Sequence, residues 1–253
     1  MPPRLTTTLR FVAANPRLLA FGFLMPFASV FGQTFFIGLF GDPIRAAFDL
    51  SNARFGLLYS LATLLSAATL VWVGRLIDRV DLRVYTAATA LAYAGACLLM
   101  AVIPPWQPLL FLAFFGLRLT GQGLMSHIGL TSMGRYFVDR RGTAVGAASM
   151  GNPVSEAAFP SIGVALIAWL GWRGAWLAAA GVVGALVLPL ALWLLRGQAA
   201  REHARRAQAA ANAAAGGADR SWRVGQVLRD PRFYLMLPVC LFGPFTVTGL
   251  FFH

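Results

Sequence analysis

The chain has 253 residues, of which 58% are apolar and only 12% charged, with a mean hydropathy of +0.68. A soluble domain carries about 25% charged residues, so this composition excludes a water-covered globule. The formal net charge is +12, yet all 21 basic residues are arginines, and all but Arg118 lie before or between apolar runs; membrane topology explains that arrangement better than phosphate binding does.

A spanning helix needs about 20 mostly apolar residues. In chain order the candidates are Leu18–Phe40, Phe55–Val73, Val84–Ile103, Leu109–Met133, Thr143–Leu170, Ala175–Leu195 and Phe233–Phe252. The first run is too long for the apolar core of a signal peptide and is read as a retained helix. The spacing therefore predicts an all-α, polytopic transmembrane bundle. Its parts are a cytoplasmic N-terminus (1–17), a six-helix bundle (18–195), a cytoplasmic central loop (196–232) and a seventh helix (233–253).

Arginine placement sets the orientation. Seventeen arginines lie in the N-terminal segment and the second, fourth and sixth connections. Arg45, Arg54 and Arg173 alone lie in the alternate connections. Positive residues mark the cytoplasmic side, so the N-terminus is expected inside the cell and the chain in the inner (cell) membrane. The central loop opens with a helix-prone basic stretch, and Trp222 is placed at headgroup depth.

Polar residues inside the spans are the candidates for chemistry. A charge near the bilayer centre costs about 2.5–3.5 kcal/mol on insertion scales, so it faces a cavity or a partner. Arg118 in helix four and Glu156 in helix five reach similar middle depth, and a salt bridge or water-bridged pair between them is feasible. Two readings stay open: a substrate or proton site, or a structural pair that fixes packing. Gln122, four residues after Arg118, falls on the same helical face. Gln33 and Asn152 are polar at membrane depth and either bond across helices or touch substrate. His127 falls on the face opposite Arg118 and is read as a packed or interfacial histidine. Pro26, Pro153 and Pro160 interrupt helices one and five, and helix five carries many small residues suited to close packing. Cys97 and Cys240 lie in apolar runs and give no disulfide framework.

The second connection reads Gly-Arg-Leu-Ile-Asp-Arg-Val-Asp-Leu-Arg over residues 74–83. Asp81 is placed to cap helix three. The segment resembles the motif between helices two and three of the major facilitator superfamily. Gly74, Asp78, Arg79 and Arg83 match that motif, whereas Asp81 replaces a glycine and Leu82 a basic residue. The resemblance implies a charge-relay latch at these residues. Arg118-Leu-Thr-Gly121-Gln-Gly123 resembles the family's fourth-helix motif. Residues 140–160 and Gly171-Trp172-Arg173 resemble the monocarboxylate-porter-like branch, and residues 227–234 look like the lead-in to helix seven.

What the resemblance implies is a secondary transporter moving a small solute by alternating access, energised by a proton or a solute gradient. A small organic anion such as a monocarboxylate is the first expectation for substrate. A drug-type exporter of the same superfamily and a non-transporting membrane scaffold are the alternatives. On this reading the chain looks truncated after helix seven, with the rest of a C-terminal bundle missing. No nucleotide-binding Gly-x-x-x-x-Gly-Lys is possible without lysine, and a retinal Schiff base is excluded for the same reason. No catalytic constellation, metal cluster or cofactor is expected. The partners are lipid and a small molecule, not nucleic acid.

Overall fold

The computed structural model describes residues 11–198, 202 and 224–252. The readings of the first ten residues, of Trp222 and most of the central loop, and of the Cys240 side chain fall outside the described residues. Among the described residues every element is helical. The chain divides into two units, Met1–Leu195 and Arg196–His253.

In the first unit five helical stretches are long and apolar enough to cross a membrane: Pro16–Gly38, Asn52–Asp78, Leu82–Val102, Gln107–Tyr136 and Arg141–Leu194. The last has 54 residues, which at about 1.5 Å per residue would reach roughly 81 Å as a straight rod, far beyond a hydrocarbon core of about 30 Å. It is not straight. Gly171 sits at φ 68°, ψ 170°, a region essentially reserved for glycine, and there the chain turns from helix five into helix six. Gly171 thus divides this stretch into two helices, and the first unit is an all-helical, polytopic transmembrane bundle. In the second unit helix seven runs Pro231–Phe252.

Local chemistry explains the helix ends. The Ser51 side chain caps helix two by accepting from the Arg54 N–H at 3.3 Å. Asp81 caps helix three, accepting from the Arg83 and Val84 N–H groups at 2.9 and 3.3 Å, as its position predicts. Helix three stops at Ile103, whose extended backbone is what a residue before proline is forced to adopt.

Helix one is the packing axis, with 72% of its apolar window buried against 17% for helix two. Helices four, five and six all contact it. Trp176 of helix six is fully buried against Phe40 and Phe36 of helix one, at ring-centroid distances of 4.8 and 5.7 Å. Phe114 of helix four packs edge-on against Phe55 and Tyr59 of helix two. The small residues of helix five divide between two faces. Ala144, Ala148, Gly151 and Ser155 are buried, whereas Gly142 and Gly146 face open space.

The interruption of helix one lies further along than its proline suggests. Pro26 stays inside a regular helix. The backbone then tightens into a 3-10 turn over Ser29–Gly32 and opens at Gln33, which is extended at φ −79°, ψ 149°. In helix five the irregular point is Met150, three residues before Pro153, where one helix ends at Ser149 and the next starts at Gly151.

Candidate functional site

The opening in helix one meets a second irregularity. Residues Leu117–Met125 of helix four form a π-helical segment. Such wide turns add a residue to the helix and cluster at functional sites. At this level Gly32 and Gly121 touch backbone to backbone: a Cβ on Gly121 would fall 2.9 Å from the Gly32 Cα, and one on Gly32 would strike the backbone of Leu117, Gly121 and Gln122. Only residues without side chains let the two helices approach this closely.

Arg118 lies at this crossing and is 8% exposed. Its Nη1 donates to the Gly32 carbonyl at 3.1 Å and to Thr34 Oγ1 at 3.2 Å, and its Nε donates to Thr63 Oγ1 at 3.1 Å. Its guanidinium also lies over the Tyr59 ring, 5.2 Å from the centroid. Tyr59 Oη in turn donates to Thr34 Oγ1 at 2.9 Å. The acceptors are neutral, and among the described residues no carboxylate pairs with Arg118.

Glu156, of similar depth by sequence, does not meet it. It is half-buried on helix five and makes no hydrogen bond or ion pair with a described residue. Depth along two helices does not fix the direction in which their side chains point, and Arg118 turns toward helices one and two. Gln33 and Asn152 come together elsewhere. Gln33 Nε2 donates to Ser29 Oγ at 2.8 Å, and Ser29 Oγ stands 3.3 Å from Asn152 Oδ1 while donating to the Pro26 carbonyl at 2.6 Å. These residues therefore bridge helices one and five. Gln122 belongs to neither cluster; its Oε1 is buried without a hydrogen-bond partner.

The connection between helices two and three is clasped by helix four. Gly74–Asp78 winds as a 3-10 turn. His127 Nε2 stands 3.1 Å from the Gly74 carbonyl, and Nδ1 lies 3.2 Å from Thr131 Oγ1. Arg135 forms an ion pair with Asp78 and donates to the Ile77 carbonyl at 3.2 Å. Arg79 and Arg83 are exposed. Asp78 thus finds its partner on helix four, not in its own loop.

Thr34, Tyr59 and Thr63 around Arg118, and Arg135 beside Asp78, are the residues that sequence reasoning missed. The signal available for the first three was a polar atom inside an apolar run. Arg135 lies in the fourth connection, where by sequence it reads as one of the arginines that mark the cytoplasmic side.

Among the described residues no cluster of His, Cys, Asp and Glu could hold a metal ion. Comparison with curated proteins and with solved structures returns no match. The family model described as Major Facilitator Superfamily matches residues 22–253, nearly the whole chain. A multi-pass helical bundle with this family match is a membrane transporter, and the chain belongs to the Major Facilitator Superfamily.

Proposed function

We propose that this transporter moves a small organic anion, of monocarboxylate type, by alternating access. The observation that carries the reading is the buried Arg118 guanidinium, which neutral groups hold and no described carboxylate balances. A cation held in low dielectric without a counter-ion is costly, and a substrate carboxylate would supply the missing charge. Glu156, half-buried and unpaired at middle depth, is the candidate for the coupling proton. Gln33, Asn152 and Gln122 are candidates for contacting the rest of the solute.

In this reading the bundle of residues 18–195 rocks against a second bundle, of which helix seven is the first element. Gly74, Asp78, Arg79 and Arg83 form the latch of one state, and the N-terminus lies in the cytoplasm of a cell whose inner membrane holds the protein. The monocarboxylate-porter-like branch is supported by the helix-five and Gly-Trp-Arg resemblances.

A drug-type exporter of the same superfamily is the second reading. The unpaired Glu156 favours it, because a lone carboxylate at that depth also suits a cationic solute. Uptake into proteoliposomes decides between them. A panel of carboxylates and organic cations is tested with and without a pH gradient, for wild type, Arg118→Ala and Glu156→Gln. Anion uptake lost in Arg118→Ala and proton coupling lost in Glu156→Gln are expected. Unaltered anion affinity and coupling in both variants overturn the proposal.

A further inference from the structure

The groups around Arg118 carry more information than its charge. Thr34 Oγ1 accepts from both Tyr59 and Arg118, and Thr63 Oγ1 accepts from Arg118. Each hydroxyl also has one proton of its own to donate. Among the described residues neither threonine hydroxyl donates to any acceptor. Their neighbours on helix two behave differently: Ser66 Oγ donates to the Thr63 carbonyl at 2.7 Å, and Thr69 Oγ1 to the Leu65 carbonyl at 2.8 Å. Such back-bonding is the ordinary fate of a hydroxyl inside a helix, and Thr63 forgoes it. The cluster therefore presents two unspent hydroxyl protons beside a guanidinium, with one net positive charge. A donor-rich, singly charged set is complementary to an oxyanion with more than one acceptor atom. Thr63 is half-buried, so the cluster is not sealed.

We infer that Thr34 and Thr63 are substrate-binding residues which, with Arg118, form a monoanion site on the side of helix one that faces helices two and four. This rests on the organic-anion reading above and deepens it. The Thr34 and Thr63 hydroxyls donate to the carboxylate oxygens while Arg118 balances the charge. The Ser29–Gln33–Asn152 bridge spends its hydroxyl proton internally and carries no charge, so it does not select the anion. A dicarboxylate or inorganic phosphate brings a second negative charge for which the cluster holds no cation, and it is bound more weakly.

The test is binding to the purified protein in nanodiscs with three probes: benzoate, succinate and inorganic phosphate. Wild type is expected to bind benzoate at least about tenfold more tightly than the other two. Thr34→Val and Thr63→Val each remove one hydrogen bond to a charged group and weaken benzoate about tenfold or more; Thr34→Ser restores it. The infrared carboxylate stretch of bound 13C-benzoate shifts between wild type and Thr34→Val, which a purely structural role would not produce. Thr34→Ala and Thr63→Ala carry the same expectation if a valine variant fails to fold. Benzoate affinity within about twofold of wild type in the folded variants, with an unmoved carboxylate band, overturns the assignment while leaving the anion reading standing. Equal affinity for succinate or phosphate overturns the monoanion selectivity. Absence of binding of all three probes to wild type overturns this site and the anion reading together.

Discussion

Arg118 Nη1 donates to the Gly32 carbonyl at 3.1 Å, one residue before helix one opens at Gln33. A side chain of helix four thus holds the backbone of helix one at its irregular point, and Gly121 makes room for the approach. The contact joins the proposed substrate site to the part of helix one whose backbone departs most from a regular helix.

Arg118→Lys is therefore not conservative. A guanidinium offers five donors in a fixed fork, whereas an ammonium is a point charge with three. Arg118 serves Thr63 from Nε and Gly32 and Thr34 from Nη1, two separate nitrogens that a single ammonium replaces with one. Anion affinity is expected to fall by more than about tenfold, the equivalent of one lost charged hydrogen bond. Calorimetric titration of the variant with benzoate checks this, and affinity equal to wild type contradicts it.

The Gly32–Gly121 contact gives a stability prediction. Gly32→Ala places a methyl into the backbone of helix four, and Gly121→Ala places one against Tyr93 and Gly32. Neither backbone can move aside as a flexible side chain would. Overpacking of this kind costs about 1–3 kcal/mol. Gly146→Ala, with nothing within 4 Å of its added Cβ, is the matched control and is expected to be neutral or slightly stabilising through helix propensity. Thermal unfolding in one detergent compares the three.

Gly171 joins helices five and six at φ 68°, ψ 170°. A Cβ there meets no neighbour, so any penalty is one of backbone conformation alone. Gly171→Ala is expected to cost about 1–3 kcal/mol, read as a lower melting temperature. An unchanged melting temperature would mean that the turn adopts another backbone conformation.

The all-helical, membrane-spanning class was legible because lipid imposes length and hydropathy on every span. Gly171-Trp172-Arg173 separates the apolar runs of helices five and six, and Gly171 is where the backbone turns between them. The site was only partly legible. Arg118 stands out on the cost of its charge, but depth along the chain pairs it with Glu156, a carboxylate at similar depth. Azimuth decides such contacts, and the π-helical segment at Leu117–Met125 alters the phase that a regular helix predicts. Thr34 and Thr63 looked unremarkable because hydroxyls inside helices usually bond to their own backbone. His127 lies apart from the Arg118 cluster, and its partner, the Gly74 carbonyl, is a backbone atom that no side-chain pattern announces.

The clasp between helix four and the helix two–three connection separates stability from function. The Asp78 side chain is 67% exposed and that of Arg135 16%; with its carboxylate in solvent the pair is worth about 0–1 kcal/mol. Asp78→Asn and Arg135→Gln should therefore melt close to wild type. If the connection acts as a latch, both should nonetheless alter the equilibrium between the two access states, because each removes a contact made in only one of them. The Arg135→Asp, Asp78→Arg double exchange restores opposite charges and should recover much of the transport that either single exchange loses. His127→Gln keeps a donor near the Gly74 carbonyl and should resemble wild type, whereas His127→Leu leaves that carbonyl without its side-chain partner and should resemble Asp78→Asn. Accessibility of a cysteine introduced at Ser60, exposed on helix two, to a membrane-impermeant maleimide reports the state. Identical labelling in all these variants would show that the contacts hold the bundle together without governing its movement.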